Sequence, residues 1–447
     1  MSYKITVIGG GSSTFTPQLM RLFIESQVLR GSTITLMDVD AHRLETMDRL
    51  CKQLVQWEGA HLTVNSTTDR RESLTGTDFV VAAISVGGMD AWEKDIEIPA
   101  RYGIYMPIAD TVGPGGIMRA FRHIPPLVAM CQDLEEVAPK AWVFNYTNPA
   151  TANCIAMRRA SAIQVVSLCT GATVPRDAKF LADWAGVEPE EICCPAPAGG
   201  LNHCAAILEL RLKDGRDAFP LVKERIIHPV LKWGLENYGI LLYSWVHWTE
   251  FYPALCRLEA EYRGRLQGLW MKYGLPVHDV EHERARVRQW EQLVEQSWPP
   301  VCGGSGGGDG ERVSLAELPA DEPVQVVELV EALVENRNEI HVVNLPNRGA
   351  IENLPYDAIV EVSCLVGGYG IRPVHVGPLP EPVAATLRQH ITAQELTVKA
   401  ALTGDRHVAL QAFLQDPQIA ARLTPEETAA LLDELLEAHA DYLPQFC

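Results

Sequence analysis

A short apolar strand that runs into a glycine turn and then into a helix constrains the fold of this chain more than any other feature. Residues 4–8 (KITVI) form the strand, residues 9–14 (GGGSST) the turn, and residues 15–29 carry apolar side chains at helical spacing. A second β-rich run, residues 33–37, ends at Asp38. Such a unit predicts a parallel, doubly wound sheet of the Rossmann type, in which ligands bind beyond the carboxyl ends of the strands.

The same alternation continues to about residue 170 and then changes. The further elements predicted in this first part are helices over 43–57 and 117–136 and strands over 79–84, 141–145 and 165–169. Later in the chain, long amphipathic stretches (219–235, 280–296, 324–336, 382–403 and 425–442) are separated by short β runs (340–344 and 358–365). We therefore predict a Rossmann-type domain over residues 1–170 and a mixed, helix-rich second domain over residues 171–447, with a glycine-rich surface loop near residues 303–310.

Composition excludes several kinds of partner. The formal net charge of −19 would repel nucleic-acid phosphates and anionic membranes. No apolar run approaches the roughly 20 residues that span a bilayer, and the N-terminus lacks the apolar core of a signal peptide. The 11 cysteines are scattered without a CxxC pair, which is typical of a reducing compartment. We therefore expect a cytoplasmic protein that acts on a small molecule.

The glycine turn and the acid after the second strand predict a dinucleotide site. A tight turn lets backbone amides approach a pyrophosphate, and Asp38 would accept bonds from the ribose hydroxyls and disfavour a 2′-phosphate, so NAD is the expected cofactor. Thr14 replaces the third glycine of the usual fingerprint, and a turn in some other α/β enzyme remains an alternative. The predicted cofactor-binding residues are Gly9, Gly11, Ser12, Ser13 and Asp38.

Polar residues beyond the predicted strands suggest a second half of the site. Cys169 ends a predicted strand, and His203 follows a glycine pair in a loop. One sulfur and one nitrogen ligand together suit a divalent metal ion of intermediate softness. Taken alone, a cysteine is more often a buried apolar residue than a ligand, and a histidine more often forms structural hydrogen bonds. The spacing of the two residues matches no metal-binding motif. Asp110 lies in the run 109–116, and Asn148 follows a buried strand in an Asn-Pro pair that is also a common turn signal.

Together these segments resemble glycoside hydrolase family 4, and the resemblance spans essentially the whole chain. The similar stretches are 8–12, 108–125 (IADTVGPGGIMRAFRHIP), 145–149, 200–203, 342–371 and 394–406 (QELTVKAALTGDR). The resemblance implies NAD, a divalent ion that is usually Mn²⁺, a fold related to lactate and malate dehydrogenases, and a homodimer or homotetramer. It places the protein ligands of the metal at Cys169 and His203. It also implies that Asn148 contacts the cofactor and substrate, and that Asn202 and His203 contact the substrate.

The family is an exception to hydrolysis by two carboxylates. The resemblance implies that NAD⁺ removes hydride from C3 of the sugar, the metal polarises the ketone, a base takes the C2 proton, and the C1 substituent leaves; water then adds and NADH returns the hydride. The base of the family is a tyrosine in a variable loop, here residues 238–253. We predict Tyr243 for this role, with His247 and Tyr252 as rivals and aromatic packing as the structural alternative. Asp110 and His247 are further predicted catalytic residues.

Two departures bear on the substrate. Thr170 follows Cys169 where 6-phospho-α-glucosidase members carry aspartate and galactosidase and uronidase members carry histidine. Ser85 stands where members that act on 6-phosphosugars carry an arginine. We therefore expect a non-phosphorylated α-hexoside or uronide, and a 6-phospho-glycosidase is the alternative within the family. Three other basic residues could receive a phosphate in that case: Lys94, Arg119 and Arg263.

Two other classes of function remain open at this point. A dehydrogenase of the lactate/malate type would produce NADH and need no metal. A non-catalytic dinucleotide-binding protein would have lost activity, and the departure at Thr170 leaves this possible. The helix-rich second half and the runs near the C-terminus disfavour the dehydrogenase.

Overall fold

The computed structural model describes residues 2–256 and 324–446, with a few isolated positions between these ranges. The first part alternates strands and helices, as predicted. Its strands are β1 (Lys4–Ile8), β2 (Thr33–Met37), β3 (Thr63–Thr67), β4 (Phe79–Ala82), β5 (Trp142–Asn145) and β6 (Gln164–Ser167). Its helices are α1 (Phe15–Glu25), α2 (Ala41–Trp57), α3 (Arg70–Leu74), α4 (Gly88–Arg101), α5 (Gly113–Val137), α6 (Ala150–Ala160) and α7 (Ala178–Ala185).

These six strands are parallel and run in the order β3-β2-β1-β4-β5-β6, which confirms the predicted Rossmann-type sheet. The central strand β4 is buried along its whole length, as expected for a sheet covered by helices on both faces. It ends at Ala82, two residues before the predicted end, because the N–H of Ile84 donates to Thr147 Oγ1 at 2.9 Å instead of to a neighbouring strand. The carboxyl ends of β1, β4, β5 and β6 face one crevice.

The second part is mixed, also as predicted. Its strands are β7 (Ala198–Leu201), β8 (Cys204–Ile207), β9 (Leu241–Leu242), β10 (Glu339–Pro346), β11 (Ile359–Gly367) and β12 (Gly370–Pro373). Its helices are α8 (Phe219–Arg225), α9 (Pro229–Tyr238), α10 (Trp245–Phe251), α11 (Val326–Glu335), α12 (Glu381–Thr403), α13 (Arg406–Gln415), α14 (Pro417–Ala420) and α15 (Pro425–Ala438).

One sheet crosses the predicted domain boundary at residue 170. β10 pairs antiparallel with β6 through Asn344 and Ser167, and the sheet continues as β10-β11-β7-β8-β9, with β12 on β11. Helix α12 packs on α5 and α6, so both parts share one hydrophobic core. The loops after β7 and β9 are thereby brought to the crevice at the carboxyl end of the parallel strands.

Of the predicted helical stretches, one forms two helices and one lies mostly outside the described residues. The stretch 219–235, predicted as one helical segment, forms the separate helices α8 and α9, because a proline at the first position of α9 cannot continue the preceding helix. The helix predicted over 280–296, apart from a few isolated positions, and the glycine-rich loop near 303–310 lie outside the described residues. Among the described helices, none combines the length and apolarity that a membrane crossing requires.

Candidate active site

The glycine turn after β1 is packed too tightly for side chains. Gly9 has φ +92°, and a Cβ on it would lie 2.1 Å from the carbonyl oxygen of Ala83. A Cβ on Gly11 would lie 2.9 Å from Asp38 Oδ2, the oxygen that accepts the Gly11 N–H at 2.9 Å. The turn therefore brings backbone against Asp38 at the edge of the crevice, a cradle that fits the pyrophosphate and ribose of a dinucleotide. The hydroxyl of Ser12 accepts the N–H of Phe15, the first residue of α1, at 3.1 Å.

Asn148 lies three residues after the end of β5 and connects this crevice with Asp110. Its side-chain amide donates to Asp110 Oδ2 at 2.7 Å. Its carbonyl oxygen lies 2.7 Å from Nδ1 of the buried His123, whose Nε2 accepts the N–H of Val86 at 3.0 Å, so Nδ1 is the donor. Burial, with smaller contributions from nearby arginines, lowers the pKa of His123 well below its usual value, so the ring is neutral and fixed in one tautomer. Asn148 is thus held between the turn after β4 and the Asp110 loop.

The Asp110 carboxylate lies among hydrogen-bond donors and imidazoles. Thr111 Oγ1 donates to Asp110 Oδ1 at 2.6 Å, next to the bond from Asn148. Burial opposes the ionisation of Asp110, but the facing rings of His247 and His203 outweigh it and hold the pKa of the carboxyl well below its usual range. Asp110 is therefore a carboxylate at all ordinary pH values.

The hydrogen bonds and burial of His203 determine its charge and tautomer. Its Nδ1 lies 2.8 Å from Thr111 Oγ1, and the one hydroxyl proton of Thr111 is directed at Asp110, which can only accept. His203 Nδ1 must therefore carry the hydrogen, which leaves the lone pair on Nε2. Burial, aided by the neighbouring ring of His247, lowers the pKa of His203 to about 3. A ring nitrogen held by its other N–H in this way is the usual geometry of a metal-binding histidine.

Three side chains form a cluster that could hold a cation. The ligand atoms of Asp110, His203 and His247 all lie within 4.8 Å of one another. The two imidazoles pack with ring centroids 3.7 Å apart, and His247 Nδ1 lies 3.8 Å from Asp110 Oδ1. Two imidazole nitrogens and one carboxylate oxygen are a donor set that divalent transition ions accept.

Cys169, predicted as a ligand together with His203, is not one of these three residues, and its role as a ligand stays a prediction. β6 ends at Ser167, so Cys169 lies just beyond the strand, where it is only 5% exposed and packs in an apolar group that includes Tyr243 and Ala172. The structure thus brings His203 together with Asp110 and His247.

Tyr243 has a partner that disfavours its predicted role as a base. The side chain is 3% exposed, and its hydroxyl donates to Oε1 of the fully buried Glu361 at 2.7 Å. Burial first, and the adjacent Glu361 second, raise the pKa of Tyr243 well above its usual value. The phenol therefore keeps its proton and acts as a hydrogen-bond donor.

Asn202, predicted to contact substrate, faces the same buried carboxylate. Its amide and that of Asn344 donate to Glu361 Oε2 at 3.1 and 2.9 Å, and Asn202 has no exposed surface. Its described contacts therefore fix the turn of His203, whose φ of +66° is unusual for a residue with a side chain. Its Oδ1 is buried without a hydrogen-bond partner, and contact of Asn202 with the substrate stays a prediction.

Sequence reasoning missed four residues that the structure places at the site: Thr111, His123, Glu250 and Glu361. Each lies in a segment that already carries the family resemblance or, for Glu250, in the HWTEFYP element of the loop over 238–253. The sequence feature that could have indicated them is a polar residue inside a segment that resembles the family. Residue type and spacing along the chain do not show which of these side chains meet.

Comparison with known proteins identifies the family. The model "Family 4 glycosyl hydrolase" matches residues 4–181, and "Family 4 glycosyl hydrolase C-terminal domain" matches residues 198–419. An α-galactosidase of Bacillus subtilis is 32% identical over 99% of both chains, and a probable 6-phospho-β-glucosidase of the same organism is 32% identical over 99% of this chain and 98% of its own. A 6-phospho-α-glucosidase from gut microorganisms, solved in complex with NAD and Mn²⁺, shares the fold with a TM-score of 0.80 at 22% identity over 100% of both chains. The resemblance is confirmed, and the chain belongs to glycosyl hydrolase family 4 as an enzyme that acts on glycosidic bonds.

Proposed function

We propose that this enzyme hydrolyses a non-phosphorylated α-hexoside with NAD⁺ and Mn²⁺ as cofactors. One contact carries the proposal: Asn148, beside the dinucleotide crevice, donates to Asp110 of the candidate cation cluster at 2.7 Å. A nicotinamide in the crevice and a cation at the cluster would therefore face the same substrate. A dehydrogenase of the lactate/malate type needs only the first of these two groups.

The residues present fit both groups. The glycine turn is too tightly packed for side chains, so only its backbone lines this part of the crevice, and Asp38 stands at its edge. We propose His203 Nε2 and Asp110 as ligands of the cation, and Cys169 stays a predicted ligand on the family resemblance. When bound, NAD⁺ supplies hydride acceptance at C3 of the sugar, and the cation supplies Lewis acidity at the neighbouring oxygens.

His247 is the residue that we propose for taking the C2 proton. Its side chain is 22% exposed, against 13% for Asp110 and 7% for His203, so it is the most accessible member of the cluster. Its Nδ1 lies 3.8 Å from Asp110 Oδ1 and 3.9 Å from Glu250 Oε2, so two carboxylates lie beside the ring. Tyr243, the base predicted from the sequence, instead holds its proton against Glu361.

Exchange of the C2 proton with deuterated solvent tests this assignment. We expect His247→Asn to lose exchange and Tyr243→Phe to retain it. Loss of exchange in Tyr243→Phe alone would return the role of base to Tyr243. The NAD⁺ affinity of both variants is the control, because neither residue lies at the glycine turn.

The substrate proposal rests on the position before the Val-Gly-Gly turn and on the relatives. Ser85 cannot form the bidentate contact that an arginine offers to a phosphate, and the relatives include an α-galactosidase that is 32% identical to this chain. One observation favours a 6-phosphoglycoside as the second candidate: Arg119 Nε is buried without a hydrogen-bond partner. Lys94 is a weaker candidate because its ammonium donates to the carbonyl of Ala438 at 2.8 Å, and Arg263 lies outside the described residues.

A panel of nitrophenyl α- and β-glycosides, uronides and 6-phosphoglycosides tests the function. We expect release of nitrophenol only when NAD⁺ and Mn²⁺ are both present, highest with a non-phosphorylated α-hexoside, and no net rise in NADH absorbance. Turnover restricted to 6-phosphosugars would establish the second candidate. Net NADH formation without a metal requirement would contradict the glycosidase mechanism.

The compartment and the assembly remain proposals. The nine cysteines among the described residues form no disulfide, which supports a reducing compartment, the cytoplasm. A homodimer or homotetramer is predicted from the family resemblance, and light scattering after size-exclusion chromatography would measure it.

A further inference from the structure

Glu250 joins two parts of the site that are far apart in the sequence. It lies on α10, its side chain is fully buried, and its Oε1 accepts the N–H groups of Ile108 and Ala109 at 2.7 Å each. Asp110 directly follows Ala109 in the chain. Hydrogen bonds to a carboxylate are about twice as strong as neutral ones. One side chain of α10 therefore holds the backbone that leads into the Asp110 carboxylate.

The backbone that Glu250 holds is strained. Ala109 has φ +61°, a left-handed conformation that is unfavourable for any residue with a Cβ. The loop also has no room to relax, because Ala109 is fully buried and a Cβ on Gly115 would lie 2.7 Å from the Ala109 carbonyl oxygen. Such a conformation persists only where the surroundings hold it. The two bonds to Oε1 act directly at the strained residue and the one before it.

The other oxygen of Glu250 makes no such contact. Oε2 is buried without a hydrogen-bond partner and lies 3.9 Å from His247 Nδ1. The hydrogen bonds of the carboxylate to the Asp110 loop are therefore all made by Oε1. An amide side chain, which also carries one oxygen acceptor, can reproduce these two bonds.

We propose that Glu250 is a positioning residue, which fixes the direction of the Asp110 carboxylate toward the cation by holding the amides of Ile108 and Ala109. The inference rests on the proposed function, since it requires Asp110 to be a ligand of the cation. Glu250 itself does not contact the cation. Its loss therefore acts through the geometry of the loop, and a change that restores this geometry restores the site.

The affinity for Mn²⁺ alone, measured from the electron paramagnetic resonance signal of the free ion, tests the proposal. We expect Glu250→Ala to weaken Mn²⁺ binding ~10–100-fold, the range seen when a partner of a metal ligand is removed, and to leave the NAD⁺ affinity unchanged. Glu250→Gln keeps an oxygen acceptor and is expected to retain most of the Mn²⁺ affinity. Adding Ala109→Gly to Glu250→Ala is expected to recover part of it, since glycine adopts the left-handed conformation without steric cost.

Asp405→Ala provides a matched control. Asp405 Oδ1 also accepts two backbone N–H groups, those of His407 and Val408 at 2.8 and 3.2 Å, at the start of α13. Its loss is expected to lower the melting temperature without changing Mn²⁺ affinity. Thermal unfolding of every variant shows whether it is folded. If Glu250→Ala is not folded, Glu250→Gln and the double variant test the proposal instead.

Three outcomes would overturn the inference. If the parent enzyme binds Mn²⁺ and Glu250→Ala binds it equally well, Glu250 has no positioning role, although the proposed function stands. If Glu250→Gln is as weak as Glu250→Ala, the charge matters and the two backbone bonds do not. If the parent enzyme does not bind Mn²⁺ at all, the proposed function fails together with this inference.

Discussion

Replacing Tyr243 by phenylalanine removes one hydrogen-bond donor from a buried carboxylate and leaves the aromatic ring in place. The hydroxyl donates to Glu361 Oε1 at 2.7 Å, and Glu361 has no exposed surface. Hydrogen bonds to charged groups contribute about 1.5–3 kcal/mol to stability. Water cannot replace the lost donor at a buried site, so we expect Tyr243→Phe to lower the free energy of unfolding by about 2 kcal/mol near neutral pH.

The loss of stability in Tyr243→Phe is expected to depend on pH, and the direction of this dependence follows from the ionisation of Glu361. Burial raises the pKa of Glu361 above its usual value, and the bonds from Tyr243, Asn202 and Asn344 act in the opposite direction. A carboxyl whose pKa is higher in the folded than in the unfolded state loses stability as the pH rises through the folded-state value. Without the donor of Tyr243 the folded-state pKa rises further. The deficit of Tyr243→Phe is therefore smaller in acid, where Glu361 is protonated, and reaches its full size above the folded-state pKa.

Urea unfolding followed by tryptophan fluorescence, at about pH 5 and about pH 8, measures both the size and the pH dependence. Tyr102→Phe is the matched control, because Tyr102 donates to Glu434 Oε2 at 2.8 Å but that carboxylate is 35% exposed. We expect its loss to cost less than about 1 kcal/mol, as for other exposed polar pairs. Equal losses in the two variants, or a deficit of Tyr243→Phe that does not change with pH, would refute the reasoning.

Three further variants test the cofactor and cation sites. Cys169→Ser is expected to abolish Mn²⁺-dependent turnover while NAD⁺ still binds, and unchanged turnover would remove Cys169 from the site. Thr111→Val deprives His203 Nδ1–H of its acceptor and is expected to weaken Mn²⁺ binding ~10–100-fold, whereas Thr111→Ser keeps the hydroxyl; equal affinities in the two variants would contradict the tautomer assigned here. Asp38→Asn is expected to weaken NAD⁺ binding ~10-fold or more, the loss of a hydrogen bond to a charged group, and to reduce the preference for NAD⁺ over NADP⁺, as titrations with both nucleotides would show.

The sequence by itself determined the dinucleotide half of this protein. β1 and β2 have the predicted bounds, and the glycine turn lies between β1 and α1 as expected. These features depend on residues close together in the chain, because the side-chain period and the space around a glycine are local properties. The family-like runs also located the segments of the second half, since Asp110 and His203 both lie in them.

Only the tertiary structure decided which polar side chains meet. Glu250 on α10 accepts N–H groups of the Asp110 loop, Tyr243 donates to Glu361 on β11, and Cys169 packs in a buried apolar group. A residue pattern encodes periodicity along one element. It does not encode the direction of a side chain from a loop, or the distance between segments that β10 and β11 bring beside the parallel strands. The partners of each polar group are therefore set by packing between distant elements, and these partners fix the ionisation and the geometry of the site.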